Sequence, residues 1–138
     1  MRQYKYEELY IGDTASFEIS ITEKMQDLFR EISGDINPLH SDKNFAVKKG
    51  FEDKVVFGML TASFYSRLAG VYLPGINCLI HSIEVKFLKP IYIGENIEVS
   101  GKITDKNDTF RRLVIDAQII CNSAKVSKAK IKVGVLNE

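Results

Sequence analysis

Between Met59 and Val71 only Arg67 is charged, and that scarcity of polar groups constrains the fold more than any other feature of the chain. Leu60, Phe64 and Leu68 recur at helical spacing with Val71 nearby, while Ala62, Ser63, Ser66, Ala69 and Gly70 are small enough to admit a neighbouring backbone. A helix of that kind has to be enclosed. The C-terminal half of the chain supplies the enclosure. After Leu73-Pro74-Gly75 the period changes to two, with Leu79, His81, Ile83, Val85 and Phe87 alternating against Ile80, Ser82, Glu84, Lys86 and Leu88. Pro90 stops that strand and Gly94-Glu95-Asn96 marks a turn. Further strands are expected over Ile97 to Thr104, Phe110 to Asn122 and Lys125 to Val133, joined through Lys106-Asn107-Asp108 and an Asn122-Ser123-Ala124 hairpin. Val114, Asp116 and Gln118 alternate too imperfectly to assign an inward face. With an earlier strand at Thr14 to Ile21, where Phe17, Ile19 and Ile21 share one parity, the pattern predicts an α+β chain whose antiparallel sheet covers the helix.

Ahead of the enclosed helix lies a second organised region. Thr22 is a suitable N-cap for a helix in which Met25, Leu28, Phe29 and Ile32 form an apolar line, with Glu23, Lys24, Asp27, Arg30 and Glu31 on the wet side. Gly34 ends it and Pro38 forbids an ordinary continuation, so Asp35 and His40 flank a non-helical segment and can converge on one volume. That is an acid/base constellation. The same residues also suit a plain turn, since Asp35 and Asn37 cap backbone amides readily. Asp42 can cap a short helix from Lys43 to Lys49 that Gly50 ends, and the Lys48-Lys49 pair is either a solvated surface or a phosphate contact. Gly58 has two readings as well: a tight approach to a core helix, or a backbone N–H that can come close to a ligand. His81, on the expected buried parity, reads as a satisfied or passage-lining histidine.

The 138 residues are expected to make one domain, residues 1–138. Nineteen Lys+Arg against 18 Asp+Glu give no general attraction to nucleic acid. The first residues have no apolar signal core and no segment has the length of a membrane span, so a cytoplasmic location is the expectation. Cys78 and Cys121 suit buried thiols in a reducing compartment. With two histidines and no close cysteine pair, no metal site and no cofactor are expected.

Ser33 to Asp42 reads Ser-Gly-Asp-Ile-Asn-Pro-Leu-His-Ser-Asp. It resembles the signature of the MaoC-like, or type 2, enoyl-CoA hydratases: Ser/Thr-Gly-Asp-x-Asn-Pro-x-His-x-Asp. Phe57-Gly58-Met59-Leu60 followed by Ser66 is similar to the start of that family's central helix, and Phe87-Leu88-Lys89-Pro90-Ile91 followed by Gly94-Glu95 to its later strand-turn-strand segment. The resemblance covers about the whole chain. It implies a hot-dog fold and reversible hydration of a trans-2-enoyl thioester to the (R)-3-hydroxyacyl thioester, on coenzyme A or an acyl-carrier protein. It further implies Asp35 and His40 as the catalytic pair, the Gly58 N–H as oxyanion donor, and Asn37 and Ser66 as supports. Phe57 and Met59, on either side of Gly58, are expected against the substrate, and a homodimer follows from the fold. One departure stands out. Close relatives carry His where this chain has Phe57, a ring that neither titrates nor donates a hydrogen bond. Three alternatives stay open: a carrier-protein dehydratase, a hot-dog thioesterase, disfavoured because Gly58 to Val71 holds no carboxylate, and a non-catalytic acyl-binding subunit.

Overall fold

The computed structural model describes residues 1–137. Strand β1 (Thr14–Ser20) carries the expected alternation, with Phe17 buried and Glu18 and Ser20 in solvent. Thr22 then caps helix α1 (Glu23–Ser33), its hydroxyl accepting from the Met25 N–H, and Gly34 closes the helix at φ 69°. That left-handed conformation is where glycine has no steric penalty. Asp42 caps the short helix α2 (Lys43–Lys48) through the Phe45 N–H. Helix α3 (Gly58–Arg67) continues directly into a wider turn at Leu68–Tyr72. Leu60, Thr61, Ala62, Tyr65, Leu68 and Ala69 along it are buried, as its composition requires.

Four strands after α3 join β1 in one sheet: β2 (Cys78–Phe87), β3 (Asn96–Asn107), β4 (Arg112–Cys121) and β5 (Ala124–Val135). Their order is β1-β3-β4-β5-β2, antiparallel throughout. Ile97, Val99, Ile103, Ile115, Ile119, Ile131 and Val133 face the same core as Leu60, Tyr65 and Leu68, so the sheet wraps α3 in the hot-dog arrangement. The fit is close. A Cβ on Gly101 of β3 would come within 2.8 Å of Leu68 Cδ2 and 2.9 Å of Ile115 Cγ2. Within the core the Tyr65 hydroxyl donates to Ser127 Oγ at 2.9 Å, tying α3 to β5.

Three details differ from the sequence expectation, and the face of β4, left open by the sequence, is settled. In β2 the register shifts between Ile80 and Ser82, leaving His81 as the extra residue of a bulge. Ile83, Val85 and Phe87 keep the inward parity, but before the bulge it passes to Ile80 and Cys78, which pair with Val133 and Val135. His81 is therefore exposed, its ring lying over Gly134. Strand β3 extends through Asn107, so the connection to β4 is a turn ending at Arg111, whose φ is 49°. On β4 the buried set is Leu113, Ile115, Ala117, Ile119 and Cys121, which puts Val114, Asp116 and Gln118 on the outer face. On α1, Met25 and Phe29 pack against the core, whereas Ile32 is 84% exposed and Gln26 only 2% exposed. Elsewhere the hairpin holds: Asn122 and Ser123, with φ of 50° and 64°, make the two-residue turn between β4 and β5.

Candidate active site

The segment Val55-Val56-Phe57 is the spine of the site. Val55 N–H donates to the Leu39 carbonyl at 3.1 Å and Val56 N–H to the Ile91 carbonyl at 2.8 Å, so the chain before α3 is held between two loops. Nδ1 of His40 lies 2.7 Å from the Val55 carbonyl. A carbonyl only accepts, so Nδ1 carries a proton, and in the neutral form of the ring the lone pair falls on Nε2. The His40 ring also stacks on Phe57, with centroids 4.1 Å apart, and Phe57 rests on Phe29 at 5.0 Å.

His40 and Gly58 line one cleft of about 290 Å³, together with Thr61, Phe87, Pro90 and Val126. Gly58 opens α3, so its N–H has no acceptor within the helix. Its missing side chain matters: a Cβ there would stand 3.1 Å from Cε1 of Phe87. The Thr61 hydroxyl donates to the Gly58 carbonyl at 2.7 Å and fixes that peptide. On the far wall a second bulge does the shaping. Ser127 pairs with Ile119 and Lys125 with Ile120, so Val126 is the extra residue, and its carbonyl accepts from both Leu88 N–H and Lys89 N–H. Bulges of this kind re-aim side chains beside functional sites.

Asp35 stands in the exposed turn after α1, outside the set of residues lining the cleft. Its Oδ1 accepts from the Asn37 N–H at 3.0 Å, and Asn37 Oδ1 in turn accepts from the Leu39 N–H at 3.0 Å. These Asx turns run directly into His40. Both carboxamide and carboxylate thus have structural work in the turn, and Oδ2 of Asp35 has no hydrogen-bond partner among the described residues. Ser66 is exposed on α3, two turns beyond Gly58. Met59 is 62% exposed at the first turn of that helix, and Phe57 is buried behind His40.

One residue that periodicity did not single out organises the loops. The Gln26 side chain donates from Nε2 to the carbonyls of His40 and Val55, both at 3.1 Å, and accepts at Oε1 from the Phe57 N–H at 3.2 Å. Because two partners are carbonyls and the third is an N–H, only this orientation of the amide satisfies all three. Lys54, just before the spine, is paired with Glu23 of α1 at 2.6 Å, and that hydrogen bond raises its pKa.

A larger, shallow depression of about 840 Å³ covers the outer face of the sheet, where Lys86, Lys102, Lys125, Lys128 and Lys130 are interspersed with Glu84, Glu98 and Asp116. It contains neither His40 nor Gly58, and its mixed charges are those of a solvated sheet face. Among the described residues no cluster of His, Cys, Asp and Glu could hold a metal ion, and no helix is long and apolar enough to cross a membrane.

The profile of the MaoC like domain matches residues 10–124. A 3-hydroxybutyryl-CoA dehydratase from Methylorubrum extorquens is 30% identical over 112 residues, spanning 81% of this chain and 71% of that protein. An (R)-specific enoyl-CoA hydratase from Rhodospirillum rubrum is 31% identical over 99 residues, 72% of this chain and 69% of the relative. Among solved structures, an unliganded (R)-hydratase from Pseudomonas aeruginosa superposes with a TM-score of 0.89 at 25% identity, covering 96% of this chain and 86% of that one.

Proposed function

Because this chain belongs to the MaoC-like family, whose profile spans residues 10–124, we propose that it catalyses reversible addition of water across a trans-2-enoyl thioester to give the (R)-3-hydroxyacyl thioester. The observation that carries this reading is the shared cleft, in which the His40 ring has its Nδ1 engaged by a carbonyl and the free first amide of α3 lies at Gly58. Hydration requires a base for water and a donor for the charge that develops on the thioester oxygen. His40 Nε2 and the Gly58 N–H have those properties, the latter aided by the positive end of α3.

In the forward direction we assign the water to His40 in the cleft and to Asp35, which reaches it from the adjoining turn through the carboxylate oxygen left over from the Asn37 bond. One proton leaves the water as the oxygen bonds to C3, electron density moves from the double bond to the thioester oxygen, and the resulting enolate is met by the Gly58 N–H. A proton is then delivered to C2, so the elements of water are added in full and the catalytic pair is restored. The same groups run dehydration when the hydroxyacyl thioester is supplied. Asn37 keeps the turn that carries both residues, and Ser66 is assigned a supporting role toward the pair. Phe57 acts from behind, by stacking on the imidazole, and Met59, exposed next to Gly58, is assigned to substrate contact. The active form is a homodimer. Support for that comes from the edge strand β2, where Leu79, Ile83 and Phe87 are exposed, as is Met59 on α3.

The test is turnover of enoyl thioesters of graded chain length on coenzyme A and on acyl-carrier protein, followed by loss of enoyl absorbance and by product stereochemistry. Wild-type protein is expected to turn over at least one of them. Asp35→Asn and His40→Asn should each lower kcat on the order of 10²-fold or more, the scale of general acid/base participation, while the melting temperature stays close to wild type. No turnover across the whole panel rejects the hydratase reading. A folded Asp35→Asn protein of near wild-type kcat would reduce Asp35 to its turn-capping role.

A further inference from the structure

We infer that Gln26 is a positioning residue for the catalytic machinery, acting through His40 and through the peptide that leads into Gly58. This role rests on the hydratase reading and extends it to a side chain on the opposite helix. A glutamine 2% exposed on an amphipathic helix is costly to bury unless its amide is satisfied. Here it is satisfied entirely by backbone of the site. One Nε2 hydrogen goes to the carbonyl of His40 itself. The other goes to the Val55 carbonyl, the same oxygen that receives His40 Nδ1–H. Oε1 takes the N–H of Phe57, whose ring stacks on His40 and whose carbonyl side continues into Gly58.

Gln26 acts on the site in three ways. The Val55 oxygen cannot rotate away from the imidazole while Gln26 pins it, so the ring orientation and its Nδ1–H tautomer are fixed together. Consuming the Phe57 N–H leaves the amides at Gly58 and Met59 as the next donors at the start of α3. And because one side chain holds both the base and the oxyanion donor, it sets the distance between them. A misplacement of such groups by about 1 Å can cost on the order of 10²-fold in rate.

The experiment compares Gln26→Met and Gln26→Glu with wild type on whichever enoyl thioester of the chain-length panel is turned over best. Gln26→Met keeps the length and removes all three hydrogen bonds, and kcat should fall about 10²-fold with KM little changed. Gln26→Glu retains the acceptor for Phe57 N–H but, when ionised, offers no donor and sets a carboxylate against two carbonyls. Protonated, it regains one donor. Its turnover relative to wild type should therefore rise as pH falls, an acid-side recovery absent from Gln26→Met. The titratable groups next in sequence to Gln26 and its partners are Glu23, Lys24, Asp27 and Arg30 on α1, His40 and Asp42 after it, and Asp53 and Lys54 before Val55, and Lys89 lines the cleft with His40. All are common to the three proteins, so the ratio isolates the introduced carboxyl. Nitrogen-15 spectra of the imidazole should show Nδ1–H alone in wild type and both tautomers in Gln26→Met.

Unchanged kcat in a folded Gln26→Met protein, or equal losses in both variants at every pH, overturns the inference while wild-type turnover leaves the hydratase reading standing. If Gln26→Met does not fold, the pH-dependent ratio for Gln26→Glu decides alone. Absence of wild-type turnover defeats the reading, and with it the catalytic part of the inference. A single Nδ1–H tautomer persisting in Gln26→Met overturns the positioning itself.

Discussion

Of the two thiols, Cys121 is buried in the core and Cys78 is half-buried against it. Burial pushes Cys78 up to about 11, and burial together with the hydrogen bond and charge of Glu95 does the same for Cys121, whose Sγ lies 3.2 Å from Glu95 Oε2. A free thiol ionises near 8.5 in an unfolded chain, so across the alkaline range the folded protein binds more protons than the unfolded one. Their stability contribution is therefore intact below roughly pH 8.5 and is lost as pH rises toward the folded values near 11. At about pH 8 a thiol reagent should modify the native protein at least tenfold more slowly than the denatured chain. Equal rates would mean the thiols are accessible. Legibility at this scale depended on how a residue signals. Asp35, Asn37 and His40 announce themselves because a glycine and a proline break the helix around them. Gln26 does not, since its neighbours Met25 and Asp27 make it look like one more wet position, and only the loops folded over it reveal three backbone partners. Phe57 was visible as a departure, yet its stacking on His40 depends on a contact across 17 residues that no local pattern carries.

Among the elements, α3 was the most legible because its lack of charge leaves no other place for it than the core. Its start was foreseeable to within one residue. What sequence left out was the polar tie inside that core, Tyr65 to Ser127, since a tyrosine on an apolar face reads as bulk and a serine in a strand reads as surface. Ser127 is buried because the bulge at Val126 puts two consecutive residues of β5 on the inner side. The hydroxyl pair is fully enclosed, and burial pushes the Tyr65 phenol up to about 12. Tyr65→Phe or Ser127→Ala should each cost about 1–3 kcal/mol of unfolding free energy, because each leaves a buried hydroxyl without its partner. The double change should cost less than the two single losses summed. Denaturant melts of the four proteins check this, and additive losses would show that the hydroxyls act independently. Helix α1 was half legible: its caps are where the sequence puts them, but its apolar stripe turns Leu28 and Ile32 to solvent while Met25 and Phe29 reach the core.

At the scale of the whole molecule, the sheet has two free edges, β1 and β2. Leu79, Ile83 and Phe87 on β2, with Met59 on α3, are the exposed apolar side chains that the proposed dimer would cover. Sedimentation at micromolar concentration should return twice the 15.6 kDa chain mass, and Met59→Asp should weaken association about tenfold or more. A 15.6 kDa species for wild type would contradict the dimer. The overall wrapping of sheet round helix was readable from the order of elements alone, because one enclosed helix and a run of alternating strands leave few other arrangements. The bulge in β2 was not, as it adds one residue without disturbing the hydrophobic count. It also governs how whole chains of this kind align by pattern. Ile80 pairs with Val133 and Ser82 with Lys132, so the ladder on β5 advances by one while β2 advances by two. A homologous chain whose edge strand is regular has to be laid against this one with a gap at position 81; placed without it, every residue upstream is assigned to the wrong face of the sheet, and the offset runs back from Ile80 toward α3 until a loop absorbs it.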